Sequence, residues 1–230
     1  MAFELTPDYW ETLRLTLALA TCTAGLLLLL GIPLAYVLVH SRGPFKPLLE
    51  AVVGLPLVLP PTVIGFYLLL AFSDGTALGR FLINTLGLSL NFTFSGILVG
   101  SLVYSLPFMV QPLQAGFQNL PRSLTEASHT LGKSRLTTLW CVLLPNMKPA
   151  LLSGTVLAFA HTLGEFGVVL MIGGNLPGRT RVASIAIYDE QQSLHYPQAN
   201  AYALTLLGVA FAILVLLFYV TKRDAARRLL

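Results

Sequence analysis

Five long apolar stretches, separated by short polar ones, constrain this chain more than any other feature. They run from about Thr12 to Val39, Leu48 to Phe72, Phe94 to Phe117, Ala150 to Ile172 and Ala201 to Val220. Each is near or above the ~20 residues a helix needs to cross the hydrocarbon. A helix satisfies its own backbone groups in lipid, where no water can. The predicted fold class is therefore all-α, a polytopic membrane helical bundle of about five transmembrane helices. Composition agrees: 55% of the residues are hydrophobic and only 10% charged, where a soluble domain carries roughly 25% charged residues. No internal repeat or composition break divides residues 1–230, which read as a single transmembrane domain.

Orientation follows the Lys and Arg of the connections. Ten of the 14 (Arg42, Lys46, Arg122, Lys133, Arg135, Lys148, Lys222, Arg223, Arg227 and Arg228) fall on one side. Arg14, Arg80, Arg179 and Arg181 fall on the other. This places the C-terminus in the cytosol and the N-terminus outside. The opening MAFELTPDYWE has no Lys or Arg, unlike the start of a cleavable signal peptide. Cys22 and Cys141 lie on opposite membrane faces by this topology, so neither a disulfide nor a metal site is expected.

Between spans three and four lies a polar island, LPRSLTEASHTLGKSRLTTLWCVLLPNMKP, residues 120–149. Ser123 and Glu126 fit a capping box that starts a helix at Leu124. Leu124, Ala127 and Leu131 share one face of it. Gly132 can take the left-handed conformation that ends the helix. Ser134 can cap a second helix, on which Leu136, Leu139, Trp140 and Leu143 share a face. Pro145 stops that helix. The expected product is a knob with its apolar side toward the bundle and its polar tip toward the cytosol.

The second span is interrupted by Leu55-Pro56-Leu57-Val58-Leu59-Pro60-Pro61, where each proline removes a backbone donor and crowds the preceding turn. Broken backbone at membrane depth survives only against protein or a water-filled cavity. Pro56, Pro60, Pro61 and Thr62 thus read either as a wall beside a pathway or as a packing kink. Pro33, Pro107 and Pro112 favour the plainer reading, since they kink other spans. His161 and Glu165, four residues apart in span four, are expected to stack on one helix face. They are ionisable residues near mid-membrane, hence functional candidates, though a pair that only fixes span four against its neighbours fits as well. The outer segment from Gly173 to Asn200 is long for a turn, and Val182 to Tyr188 fits a short helix lying at the outer surface. Gly173 to Thr180 nearly matches a phosphate-binding loop, but Arg179 stands where Lys is required and no strand precedes it; it reads as a turn. Asn91-Phe92-Thr93 reads as a chance glycosylation match. No protease or hydrolase motif occurs. The chain is expected to be no enzyme and to need no cofactor.

The spacing of the polar island resembles the EAA loop of ABC-transporter permeases. The elements that match are Glu126-Ala127-Ser128, three residues, Gly132, nine residues, then Val142-Leu143-Leu144-Pro145. Ser128 stands for the family's Ala and Val142 for its Ile. The resemblance makes Glu126, Ala127, Ser128, Gly132, Leu144 and Pro145 an ATPase-coupling set, and the fold a type I ABC importer permease. The apolar segments hold no Lys or Arg near their middles to grip an anion. This suits a weakly binding path with specificity outsourced, or a neutral solute.

Resemblance extends to cargo. Leu55 to Gly65 looks like the second-span motif of molybdate permeases. Leu163-Gly164-Glu165-Phe166-Gly167 is similar to a segment shared by molybdate and sulfate permeases. Gly174 to Thr180 with Ser184 to Tyr188 is similar to a molybdate-permease outer loop. Members of that family usually carry Arg where His161 stands, which makes a permanent pair with the Glu; imidazole, by contrast, can be charged or neutral in the physiological range. The family implies a homodimer in the lipid of a bacterial or archaeal cytoplasmic (inner) membrane. It also implies two copies of a cytoplasmic ATP-binding subunit and a periplasmic or extracellular oxyanion-binding protein; no nucleic acid is expected. Molybdate stands first, tungstate close behind and sulfate or thiosulfate third. A membrane scaffold without a transport path is the reading from another class.

Overall fold

The structure, a computed structural model, describes residues 7–41 and 43–227, with side chains through 219. Arg42, Arg228 and residues 1–6, used above for orientation, lie outside the described residues, as do the side chains of Lys222, Arg223 and Arg227. Among the described residues every regular element is helical.

α1 (Pro7–His40) is one continuous helix of 34 residues that carries Pro33 within it. α2 (Lys46–Gly54) passes into a 3-10 turn at Leu55–Leu57, and α3 (Pro61–Ala71) then leaves at 109°. The expected second span is thus two limbs around a sharp bend. The prolines cause it. Pro60 precedes Pro61 and is therefore pushed out of the helical region, to φ −56° and ψ 138°.

α4 (Ala77–Leu86) has no counterpart in the expected spans. Thr76 caps it by accepting from the Gly79 N–H, and Gly87 ends it at φ 65°. Its Leu78, Phe81 and Leu86 are exposed, as on a helix lying in a membrane interface. α5 (Phe94–Gln118) follows, capped by Thr93, with Pro107 and Pro112 inside an unbroken helix.

The polar island folds as α6 (Arg122–Thr130), α7 (Arg135–Thr138), a π-helical turn (Leu139–Leu143) and α8 (Leu144–Asn146). Two local expectations are corrected. There is no capping box: α6 begins at Arg122 directly after Pro121, which caps without a side-chain hydrogen bond, so Ser123 already lies in the first turn. Pro145 does not stop the second helix either. Lacking an N–H, it cannot bond the Cys141 carbonyl four residues back. The π turn absorbs the mismatch, with the Leu144 N–H on the Leu139 carbonyl and the Asn146 amide on the Val142 carbonyl at 2.7 Å. The chain breaks two residues later at Met147, and α9 (Lys148–Leu163) leaves at 80°.

The fourth span also differs. α9 ends at Leu163, residues 164–166 are irregular, and α10 (Gly167–Gly173) resumes the helix. The outer segment contributes α11 (Ala183–Gln192), followed by α12 (Tyr196–Arg227). α11 forms over the expected stretch, with one face in the core and Tyr188, Gln191 and Gln192 exposed. Ala183, Ile185 and Ala186 are fully buried, and the Ala183 N–H donates to the Thr16 hydroxyl of α1 at 2.8 Å. The preceding Gly173–Thr180 stretch is indeed a turn, closed by the Thr180 hydroxyl donating to the Gly173 carbonyl at 2.7 Å.

α1, α5 and α9 pack together as the centre of the bundle, with Leu27, Leu38, Met109, Leu113 and Ala158 in their shared core. A second core, Leu19, Ile97, Val169, Val182 and Ile185, ties α1 and α5 to α10 and α11. Among the described residues three helices are long and apolar enough to cross a membrane, and up to five spans result if each bent pair counts as one. α12 leaves Leu204, Leu207 and Phe211 outward, as a lipid-facing helix must.

Candidate functional site: a two-armed knob and two facing helix breaks

The knob is held by its elbow. Gly132 sits at φ 71°, a conformation that costs a residue with a β-carbon ~1–2 kcal/mol. Ser134 accepts from the Thr137 N–H and caps α7 as expected. One hydrogen bond ties the two arms: the hydroxyls of Ser128 and Thr138, both buried, lie 2.8 Å apart. Thr138 donates to the Ser134 carbonyl at 2.9 Å, so Ser128 is the donor between them.

The apolar side of the knob is not all turned inward. Leu139, Leu143 and Leu144 are buried against the bundle. Leu131 (76% exposed), Leu136 (66%) and Trp140 (56%) point away from it, which corrects the single inward face expected above. Leu124, Ala127, Ser128, Leu131, Cys141 and Val142 line an apolar groove of about 280 Å³. Glu126 and Pro145 are exposed. Glu126 also lines a larger cavity, about 550 Å³, with Arg122, Lys46, His40 and Phe117. That cavity separates the start of α6 from the ends of α1 and α5.

The second feature is a meeting of breaks. α10 packs on α3, so the segment after one interruption lies on the segment after the other. Contact is close because glycines face it. A β-carbon on Gly167 would stand 2.9 Å from the Pro61 Cβ, and one on Gly65 would stand 2.7 Å from the Met171 Cβ. Pro56 is buried, while Pro60, Thr62 and Gly164 are exposed and Val58 is 82% exposed. The bend and the irregular residues are thus open at the surface of the single chain.

His161 and Glu165 are not stacked on one helix. α9 ends between them, after Leu163. The imidazole turns to α5 instead: Nδ1 lies 2.9 Å from the Ser105 hydroxyl, which lies 2.9 Å from that of Thr162. Thr162 donates to the Ala158 carbonyl. Each hydroxyl has one proton, so Ser105 donates to Thr162 and His161 Nδ1 carries the hydrogen donated to Ser105. The ring stacks on Phe108 at 3.9 Å. Glu165 is 4% exposed, and neither carboxylate oxygen has a hydrogen-bond partner among the described residues. The Ser101 hydroxyl of α5 lies near it and is itself buried and unpartnered. The Glu165 carbonyl accepts from the Ser184 hydroxyl, which fastens the break to α11.

The overall fold recurs in solved structures. The fold matches an inward-facing MetNI methionine ABC transporter chain at a TM-score of 0.71, covering 96% of this chain and 99% of that one at 17% identity. A chain of a bacterial alginate ABC transporter matches at 0.74, covering 95% and 80% at 18% identity. At sequence level, residues 28–228 match the family described as binding-protein-dependent transport system inner membrane component. The chain belongs to this family. It is an inner-membrane permease with several apolar helices, built on the type I ABC importer fold. The molybdenum transport permease ModB of Azotobacter vinelandii is 44% identical over 90% of this permease and 91% of that protein. ModB of Escherichia coli K12 is 34% identical, covering 93% of both chains. The probable sulfate permease cysT of Zygnema circumcarinatum is 35% identical over 96% of this permease and 77% of that protein.

At this site the sequence alone does not reveal the partners of His161 or the break in span four. Ser105 and Thr162, which hold His161, carry no motif. The irregular residues 164–166 read as helix in the sequence because Leu163-Gly164-Glu165-Phe166-Gly167 sits inside an apolar run; its two glycines are the available signal.

Proposed function

We propose that this chain is the membrane-spanning permease subunit of an importer for molybdate, with tungstate as a second cargo, driven by ATP hydrolysis in a separate subunit. The carrying observation is the 44% identity over 90% of the chain to a molybdenum transport permease, against 35–36% for sulfate permeases. Sulfate import is the second reading on the strength of those relatives. The working unit is one permease domain over residues 1–230, with residues 120–149 as its coupling loop.

Glu126, Ala127, Ser128, Gly132, Leu144 and Pro145 form the coupling set. Gly132 fixes the angle between the arms, Ser128 ties them, and Leu144 roots them in the bundle. Glu126 and the outward Leu131 are offered to a cytosolic ATPase subunit, two copies of which serve a permease homodimer. An extracytoplasmic oxyanion-binding protein delivers the cargo, with the N-terminus outside and the C-terminus in the cytosol.

The exposed bend supports the homodimer. Lipid cannot satisfy interrupted backbone, yet Val58, Pro60, Thr62 and Gly164 are open in the single chain. A second copy, with an aqueous path between the two, would cover that face. Pro56, Pro60, Pro61 and Thr62 then shape the path. Glu165 and His161 stand behind it and hold the break in span four rather than touching cargo, since both side chains are directed into α5.

The test is ATPase activity in vesicles holding the permease and its ATPase. Molybdate-loaded binding protein should stimulate hydrolysis several-fold over the unloaded form. A rate indifferent to loaded binding protein would point to a scaffold instead.

A further inference from the structure

We propose that a recess at the end of α1 opposite the knob holds the headgroup of a zwitterionic phospholipid bearing a primary ammonium. The recess has a volume of about 470 Å³ and is lined by Trp10, Glu11, Arg14, Leu15, Ala18 and Phe94, with Gly178 above. Three observations carry the assignment.

The first is depth. α1 is 34 residues long, or ~51 Å at ~1.5 Å per residue. Hydrocarbon ~30 Å thick covers about 20 of them. Centring it leaves about seven residues beyond each boundary, so Trp10 and Glu11 lie among headgroups and Arg14 lies at the edge of the hydrocarbon. α5 agrees independently. Phe94, its first residue, lines this recess, whereas Phe117 and Gln118, at its far end, share the knob-side cavity with Val39 and His40.

The second is charge. Glu11 and Arg14 are one helical turn apart on the recess wall, and among the described residues neither forms an ion pair. Their spacing offers a carboxylate to an ammonium and a guanidinium to a phosphate. A primary ammonium can donate hydrogen bonds to Glu11, whereas a quaternary one cannot.

The third is the sequence of surfaces. Charged groups rim the recess, and Leu15, Ala18 and Phe94 continue below them toward the hydrocarbon. Trp10, 57% exposed, stands at the depth where indole rings gather. An ordinary soluble anion would have no use for that apolar floor. A bound lipid would also bear on the outer turn, because a β-carbon on Gly178 would stand 3.0 Å from the Glu11 carboxylate.

The chain has two tryptophans, Trp10 and Trp140, and Trp140 lies in the knob at the other face. In a Trp140→Phe permease, Trp10 fluorescence therefore reports on this recess alone. The full chain is placed in nanodiscs of matched phosphatidylcholine with equal fractions of brominated phosphatidylethanolamine, phosphatidylcholine or phosphatidylglycerol. We expect brominated phosphatidylethanolamine to quench with about a fivefold preference, the factor one surface charge contact supplies. Arg14→Gln and Glu11→Gln should each reduce it toward parity. A second arm needs no recess variant: unbrominated phosphatidylethanolamine should relieve quenching by brominated phosphatidylcholine in the Trp140→Phe protein. Equal quenching by all three lipids, a preference for phosphatidylglycerol, or a preference unchanged by both substitutions in folded protein overturns the proposal.

Discussion

Gly167 lies so close to Pro61 that a β-carbon on it would stand 2.9 Å from the proline Cβ. The start of α10 and the start of α3 are therefore pressed together, and the two breaks form one unit. Gly164, two residues before the irregular stretch ends, has open space around it and an ordinary φ of −96°.

These two glycines should respond differently to alanine. Gly167→Ala forces Pro61 aside and should cost ~1–3 kcal/mol, as overpacking generally does, with transport reduced. Gly164→Ala should be close to neutral. Thermal unfolding midpoints of the detergent-purified permease check the difference, and equal midpoints would contradict the close approach.

The elbow makes a second prediction. Gly132→Val places a β-branched residue at φ 71°, where such residues are strongly disfavoured. Transport and association with the ATPase should fail while the binding protein keeps its affinity. Gly132→Asn should retain much of the activity, because Asn tolerates this region. Near-normal uptake by Gly132→Val would remove the elbow from the coupling scheme.

Ser128 and Thr138 give an asymmetric pair. Ser128→Ala removes a donor but leaves Thr138 bonded to the Ser134 carbonyl, so its cost should stay at or below ~1 kcal/mol. Thr138→Val takes away the acceptor of a buried hydroxyl and should cost more, ~1–3 kcal/mol. Protease resistance of the knob in the isolated permease reads both. The reverse order would mean that the donor direction is wrong.

His161 should couple to Ser105 and not to Glu165. A double-mutant cycle of His161→Ala with Ser105→Ala should give an interaction of ~0.5–3 kcal/mol, the range for residues in one network. The cycle of His161→Ala with Glu165→Gln should be additive within ~0.5 kcal/mol. His161→Arg should remain tolerated. Strong coupling to Glu165 with none to Ser105 would restore the stacked pair that the spacing alone suggested.

Much of the architecture was legible because lipid leaves a chain few options. Apolar length placed spans one, three and five within a few residues of α1, α5 and α12, apart from the longer ends of α1 and α12. Gly132 and Ser134 were readable because left-handed and capping positions select particular residues. What escaped depended on competition between neighbours. Ser123 and Glu126 had the spacing of a capping box, but Pro121 started the helix first. Pro145 should end a helix, but a π turn accommodated it. His161 and Glu165 had helical spacing, but the helix ended between them, and only the fold could put Ser105 beside the imidazole. α4 escaped because ten residues with Arg80, Asn84 and Thr85 are too short and too polar for a span.

Uptake of isotopically labelled molybdate is the decisive measurement. Vesicles carry the permease with its ATPase, ATP inside, and receive labelled molybdate with the binding protein outside. The label should accumulate against its gradient, stop when ATP is withheld, and be displaced by unlabelled tungstate at comparable concentration and by sulfate only in large excess. Accumulation that sulfate displaces as readily as molybdate does, or no ATP-dependent accumulation at all, would contradict a molybdate importer.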